Sequence, residues 1–189
     1  MSKKRTFKVG LVLFSTVASL SFITTSAFAD FMGGQWNLSV VRYENYNLDK
    51  KYGNLLWSAA EYWNGISSNI DFYPSDKNKP AQVKVKHPTK DVDAQLTWLG
   101  TYGLGVPQDK KGNLGTPYVS AEITIVRGMC DKLNTDDTIN AMAHEIGHVL
   151  GLAHTTKSSV ESLMDPDDVF DVDGPTKYDK DNLRSLYGK

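Results

Sequence analysis

The chain has 189 residues, with 21 Lys and Arg against 22 Asp and Glu, and its net charge at neutral pH is −1. This near-even balance gives no indication of a nucleic-acid partner. Cys130 is the single cysteine, which excludes a disulfide within the chain, so stability must come from packing or from a bound metal.

The first 29 residues are typical of a secretory signal peptide. Four basic residues come first, the apolar stretch VGLVLFSTVASLSFI follows, and AFAD supplies the small-x-small pattern that signal peptidase cuts after Ala29. A membrane anchor is the alternative, but the uncharged run is at the short limit for a bilayer span. We therefore predict a signal peptide over 1–29 and one catalytic domain over 30–189. We expect that domain to be secreted, extracellular, free of the membrane and monomeric.

The first half of this domain alternates strand and helix patterns. NLSVVRY, residues 37–43, is a β-branched run typical of a strand, and apolar residues recur at helical spacing from Tyr52 to Ile66. NIDFY and AQVKVKH then predict two strands, the second half-solvated because its valines alternate with lysines.

The second half predicts a pair of extended segments and then two helices. AQLTWLGTYGLGVPQ and TPYVSAEITIV flank the turn-rich DKKGN, which favours a hairpin or two neighbouring extended segments. Thr135, Asp136 and Asp137 supply capping and first-turn acids for a helix that continues to about Leu150. A last helix is expected over 177–187. The chain shows no repeat and no linker, so we predict a single α+β unit.

Three of the four histidines lie within NAMAHEIGHVLGLAHTT, residues 140–156. Residues four apart in a helix are offset by about 40° and rise about 6 Å, so His144 and His148 project from one face and can reach one ion. His154 would lie about 15 Å from His144 along an unbroken helix, so the helix must stop before it. Gly151 stands where a left-handed helix-ending residue is needed.

Three histidine ligands predict a catalytic metal site. They leave one position of a tetrahedral zinc open, whereas structural sites are closed by four protein ligands, usually rich in cysteine. Zinc brings the pKa of a bound water to roughly 7, and Glu145, beside His144, is placed to take its proton. The alternative is a capped surface helix with ordinary polar histidines, which the added glycine and third histidine disfavour.

At these residues the chain resembles the metzincin metalloproteases, and within them the matrixins. HEIGHVLGLAH matches the signature H-E-x-x-H-x-x-G-x-x-H, and SLMDP is similar to the Met-turn. QWNLSVVRYENYN, AAEYWNGIS, IDF and YDKDNLRSLYG are similar to the opening strand, first helix, next strand and closing helix of matrixins. The resemblance implies a metzincin-like, twisted, mixed five-stranded sheet with a first long helix, an active-site helix and a C-terminal helix.

The same resemblance implies zinc endopeptidase activity and a role for each matching residue. His144, His148 and His154 would bind one zinc, and Glu145 would act as general base and then acid. Met164 would form an apolar base under the metal. In addition to these, Asp179 matches an acid of the closing helix that supports the Met-turn region from below.

The chain also departs from the matrixin pattern. Thr155 stands where matrixins place serine after the third histidine, and Pro166 stands where astacin-like relatives have a tyrosine near the metal. A second, structural zinc of the animal members would need several histidines, and only His87 is available. We therefore expect that site to be absent and His87 to be an exposed residue at a strand end.

Latency through a cysteine-bearing propeptide is not expected. Only DFMGGQ separates the predicted cut from Trp36, so we expect an enzyme exported in competent form. Cys130 precedes the active-site helix, and we predict a partly buried free thiol with no regulatory role.

Substrates are expected to be proteins or peptides. In matrixins the peptide adds a strand at the sheet edge above the metal, and TWLGTYGLGV matches that segment. Pro166, Asp167 and Asp168 replace the usual Pro-x-Tyr of the main specificity pocket, and their acidic rim predicts a preference for basic residues. The acidic stretch from Asp165 to Gly174 leaves two alternatives open, a calcium site or a solvated loop.

The sequence therefore predicts a secreted zinc-dependent endopeptidase. The alternative is an exported, non-catalytic metal- or peptide-binding module of the same fold. Glu145 weighs against that alternative, because a protein that only binds has no need of a general base.

Overall fold

The computed structural model describes residues 30–157 and 159–189. The predicted signal peptide lies outside these ranges, and so do its cleavage and the anchor alternative. Within the described ranges, no helix is both long enough and apolar enough to cross a membrane.

A mixed sheet of five strands carries the described part of the chain. The strands are β1 Val40–Asn45, β2 Asp71–Pro74, β3 Val83–Lys86, β4 Gly103–Gln108 and β5 Ser120–Ile125. Their order is β2-β1-β3-β5-β4, and only the pair β4 and β5 is antiparallel. The predicted α+β fold class, with its five-stranded mixed sheet, is confirmed.

The helices pack against the sheet and against one another. They are α1 Lys50–Glu61, α2 Lys90–Trp98, α3 Arg127–Cys130, α4 Thr135–Val149 and α5 Lys177–Tyr187. Helix α1 buries Tyr52, Leu56 and Ala59, which share one face at helical spacing. That face packs on α4, and after it the indole of Trp63 donates to the carbonyl of Ala143 at 2.8 Å. The first helix and Trp63 after it thereby hold α4 in place.

Helix α4 starts at Thr135, and its N-cap lies one residue before the predicted one. Asn134 is the N-cap, and its side chain accepts the N–H of Asp137 at 2.8 Å. Asp136 and Asp137 occupy the first turn, where their charge favours the helix N-terminus. Almost the whole helix is buried, so α4 is the central helix of the fold.

The extended structure predicted over 94–108 is wrong in its first part. Residues 94–98 belong to α2, which follows Thr89 and carries Asp91 and Asp93 in its first turn. Asp93 accepts backbone N–H groups of Arg127 and Gly128 at 2.7 and 3.1 Å, so α2 docks on α3. Trp98 is 84% exposed, and its apolar character therefore did not signal a buried strand.

The prediction of an exposed His87 is also wrong. The side chain is buried, with 3% of its surface exposed. Its ring stands edge-on to Tyr52, with centroids 4.9 Å apart, and its Nδ1 lies 2.8 Å from the carbonyl of Ile125. Long-range packing by α1 and β5 buries this residue, and its neighbours in sequence carry no sign of that packing.

Candidate metal centre

Three histidine rings meet at the C-terminal end of α4. His144 and His148 project from one face of the helix, and Gly151, at a φ of +99°, ends it and turns the chain back. Nε2 of His154 then lies 3.0 Å from Nε2 of His144 and 3.1 Å from Nε2 of His148. In the described residues, this trio is the group of His, Cys, Asp or Glu side chains that could hold a metal ion.

Backbone carbonyls orient the two helical histidines. Nδ1 of His144 lies 2.7 Å from the carbonyl of Leu163, and Nδ1 of His148 lies 2.8 Å from that of Leu152. A carbonyl can only accept, so each Nδ1 carries the proton and each Nε2 presents a lone pair to the centre. Converging lone pairs repel one another unless a cation lies between them.

The donor set fits zinc. Zn–N bonds of roughly 2.0–2.1 Å at tetrahedral angles place ligand nitrogens about 3.3 Å apart, close to the 3.0 and 3.1 Å separations found here. Burial lowers the pKa of His144 to about 4 and also lowers the pKa of His148 and His154. All three rings are therefore neutral near pH 7, the protonation state in which imidazole binds metal.

Glu145 lies beside the trio and under the edge strand. Burial raises the pKa of its carboxyl to about 8, and a backbone contact with Gly105 acts in the opposite direction. A Cβ added to Gly103 would stand 2.6 Å from Cγ of Glu145, and one added to Gly105 would stand 2.3 Å from its carbonyl oxygen. Strand β4 reaches this close to α4 because both positions lack a side chain.

The chain after His154 forms a support beneath the trio. Met164 is buried, and its Sδ would lie 2.4 Å from a Cβ added to Gly147 of α4. Its carbonyl accepts the N–H of Thr155 at 3.1 Å. The predicted Met-turn therefore packs directly against the metal-facing helix.

Asp179 of α5 holds this support from below. Its buried carboxylate accepts the Ser162 hydroxyl, the N–H of Leu163 at 2.8 Å and the N–H of Thr176 at 2.8 Å. Because the carbonyl of Leu163 accepts a hydrogen bond from Nδ1 of His144, a continuous set of hydrogen bonds joins the closing helix to the metal centre.

The acidic stretch after Met164 borders the centre. The negative charge of Asp165 raises the pKa of His154, in opposition to burial. Phe170 packs edge-on to Tyr102, which lies just before β4, with ring centroids 4.9 Å apart. In the part of the chain that the structure describes, the aspartates from Asp165 to Asp173 do not converge as a metal-holding group.

Several groups that build the centre escaped the sequence reasoning. The carbonyls of Leu152 and Leu163 are backbone atoms, so no residue type marks them. Ser162 and the two glycines of β4 that press on Glu145 acquire their roles only through pairing across the fold. The hydroxyl of Ser162, two residues before Met164, is the one sequence feature that could have indicated such a role.

Comparison with known proteins agrees with this arrangement. The family model described as matrixin matches residues 28–188. Karilysin of Tannerella forsythia is 30% identical over 148 residues, which cover 71% of this chain and 29% of karilysin. The chain thus spans less than a third of that relative.

A solved structure shares the fold. High choriolytic enzyme 1, a hatching enzyme zinc-protease from the medaka fish Oryzias latipes, aligns with a TM-score of 0.51 over 81% of this chain and 94% of its own, at 16% identity.

The sheet, the active-site helix and the converging imidazoles define a metzincin-type metallopeptidase domain. Within that class, the chain belongs to the matrixin family.

Proposed function

We propose that the protein is a secreted zinc-dependent endopeptidase. His144, His148 and His154 hold one zinc ion, and Glu145 is the general base. The observation that supports this most strongly is the convergence of three neutral imidazoles beside a buried carboxyl group, with Nε2 of His154 3.0 and 3.1 Å from the Nε2 atoms of the other two histidines. A module that only bound metal would not need that carboxyl group.

Zinc bound there would polarise the scissile carbonyl and acidify the attacking water. Glu145 takes the proton of that water and delivers it to the leaving amine, a dual role that suits a buried carboxyl group whose pKa lies above the ordinary glutamate value. Asp179 acts through a ligand, since it accepts the N–H of Leu163, whose carbonyl orients His144. Met164 packs against Gly147 of the helix that carries His144 and His148.

The substrate adds a strand to β4. This strand is the edge of the sheet, and no strand covers its outer side in the described ranges. Its side chains alternate, with Leu104 and Val106 exposed and the glycines turned to α4. An extended peptide can pair with such an edge while its scissile bond lies over Glu145.

The loop after Met164 sets a preference for basic side chains. Asp167 is exposed and Asp168 is half-buried. Burial raises the pKa of Asp168, and the negative charges of the neighbouring aspartates raise it further. A profile of cleaved peptides should therefore be enriched in Lys or Arg next to the scissile bond. A profile without that enrichment would refute this preference and leave the peptidase assignment standing.

Glu145→Ala tests the catalytic assignment. The variant should keep one zinc per chain, measured by elemental analysis, and lose cleavage of casein. Glu61→Ala is the matched control, because that glutamate is exposed at the end of α1 and should retain both properties. Cleavage by the Glu145→Ala variant would show that the base is another group.

Export is tested separately. Residues 1–29 carry the basic start, apolar stretch and AFAD pattern of a signal peptide. Protein recovered from the culture medium should begin at Asp30 when sequenced from its N-terminus. Recovery of the uncut chain from the membrane fraction would favour the anchor instead.

A further inference from the structure

The segment Asp30–Trp36 pairs with the turn that follows α4. The N–H of Met32 donates to the carbonyl of Gly151 at 2.8 Å, and the N–H of Ala153 donates to the carbonyl of Asp30 at 2.6 Å. Phe31 and Leu152 are thereby opposed as an antiparallel bridge. Residues near the start of the domain thus form a short added strand beside the turn 151–153.

This turn lies between two of the three histidines, His148 of α4 and His154. The carbonyl of Leu152 receives Nδ1 of His148 at 2.8 Å, and His154 follows Ala153 directly in the chain. A shift of the turn would therefore move both rings together. The orientation of Leu152 matters most, because its carbonyl fixes which nitrogen of His148 faces the metal.

The same segment, together with Tyr187 of α5, supplies hydrogen-bond donors to the end of α4. The last carbonyls of a helix have no partner inside it. Here the indole of Trp36 donates to the carbonyl of Val149 at 2.8 Å, and the hydroxyl of Tyr187 donates to that of Leu150 at 2.9 Å. Together with the bond from Met32, these contacts satisfy three successive carbonyls at the helix end.

Close packing leaves the turn little freedom. A Cβ added to Gly151 would stand 2.9 Å from the carbonyl oxygen of Gly34 and 2.8 Å from Cδ2 of Leu186. The turn is thus pressed between the segment on one side and α5 on the other.

We propose that Asp30–Trp36 is a positioning element that holds the turn 151–153 in the conformation in which His148 and His154 bind the same ion. This inference rests on the proposed zinc site, and it assigns to the segment a role in metal affinity that the catalytic assignment does not require. Because coupling between two binding events is reciprocal, zinc in turn holds the segment on the turn.

Met32→Pro in the full chain tests the inference, since proline removes the N–H that bonds Gly151. Met32→Ala is the matched control, because it keeps that N–H and loses the same side chain. Competition with a chromophoric chelator should show zinc binding about tenfold weaker in Met32→Pro than in Met32→Ala, at the low end of the roughly 10–100-fold cost of losing a group that supports a ligand.

A second measurement needs no variant. Hydrogen exchange of the Met32 and Ala153 amides in the unsubstituted chain should slow several-fold when zinc is added to the metal-free protein. Unchanged exchange, or equal zinc affinity in the two Met32 variants, would overturn the inference while the proposed function stands. A chain that binds no zinc at all would overturn both.

Discussion

Two buried histidines in this molecule both bond a backbone carbonyl through Nδ1, but the surroundings of their Nε2 atoms differ. Nδ1 of His144 lies 2.7 Å from the carbonyl of Leu163, and Nδ1 of His87 lies 2.8 Å from the carbonyl of Ile125. Beyond that bond they differ. Nε2 of His144 meets another imidazole nitrogen at 3.0 Å, whereas Nε2 of His87 has no hydrogen-bond partner among the described residues and lies 3.8 Å from the carboxylate of Asp49.

The difference shows what makes a metal site. Burial and a carbonyl-bonded Nδ1 are found in both places, so neither property identifies a ligand. What distinguishes His144 is the convergence of further donors on its free nitrogen. His87 is instead a packed core residue whose ring fills the space beside Tyr52.

Removing each histidine in turn should separate the two roles most strongly. His144→Ala should lose zinc and cleave no casein, because two remaining imidazoles hold zinc far less tightly than three. His87→Ala should keep one zinc per chain. Elemental analysis of both purified variants checks the pair. Loss of zinc from His87→Ala, or its retention in His144→Ala, would reverse the roles assigned here.

The support beneath the metal centre gives the next largest effect. Asp179→Asn replaces a buried carboxylate that accepts several N–H and O–H groups with an amide that brings its own donors. The free energy of unfolding should fall by about 2–4 kcal/mol in urea denaturation.

Asp181→Asn is the matched control on the same helix. Asp181 is half exposed, with 48% of its side chain accessible, and exposed ion pairs contribute little to stability, so the urea midpoint should hardly move. Equal effects of the two substitutions would remove Asp179 from its supporting role.

A smaller effect is expected at the His87 site. His87→Ala loses the contact with Tyr52 and leaves the carbonyl of Ile125 without its partner. The free energy of unfolding should fall by about 1–3 kcal/mol. Lys84→Ala, an exposed change on the strand that precedes His87, should leave it almost unchanged. An unfolding midpoint for His87→Ala equal to that of the unsubstituted chain would contradict the packing role.

The smallest change is expected at Cys130, a buried residue whose thiol donates to the carbonyl of Tyr102. Burial raises the pKa of its thiol to about 12, so the thiolate fraction at pH 8 is on the order of 10⁻⁴, against roughly a quarter for an ordinary thiol. Iodoacetamide should label the folded chain hardly at all and the urea-unfolded chain readily. Rapid labelling of the folded protein would make Cys130 a reactive thiol.

Local patterns predicted the elements that local interactions determine. Helix α5 spans the predicted 177–187, and α4 follows its capping and periodicity signals, because both depend on neighbours within four residues. The prediction failed at 94–98, because these residues continue a helix that begins at Lys90 and carries Asp91 and Asp93 in its first turn. Pairing of β3 with both β1 and β5 is non-local, and no residue pattern specified that order.

The same division holds at the metal centre. The histidines and the turning glycine follow from helix geometry, so their spacing alone was informative. The carbonyls that orient them, the approach of β4 to Glu145 and the burial of His87 arise from long-range packing. Side-chain identity therefore predicted the donors, and only the fold shows how they are held.

X-ray absorption at the zinc edge of the loaded chain measures which atoms bind the ion. We expect three imidazole nitrogens at about 2.0–2.1 Å and one lighter oxygen ligand from solvent or substrate. Fewer than three imidazoles around the zinc, or a sulfur neighbour at about 2.3 Å, would contradict the convergence of His144, His148 and His154 on one ion.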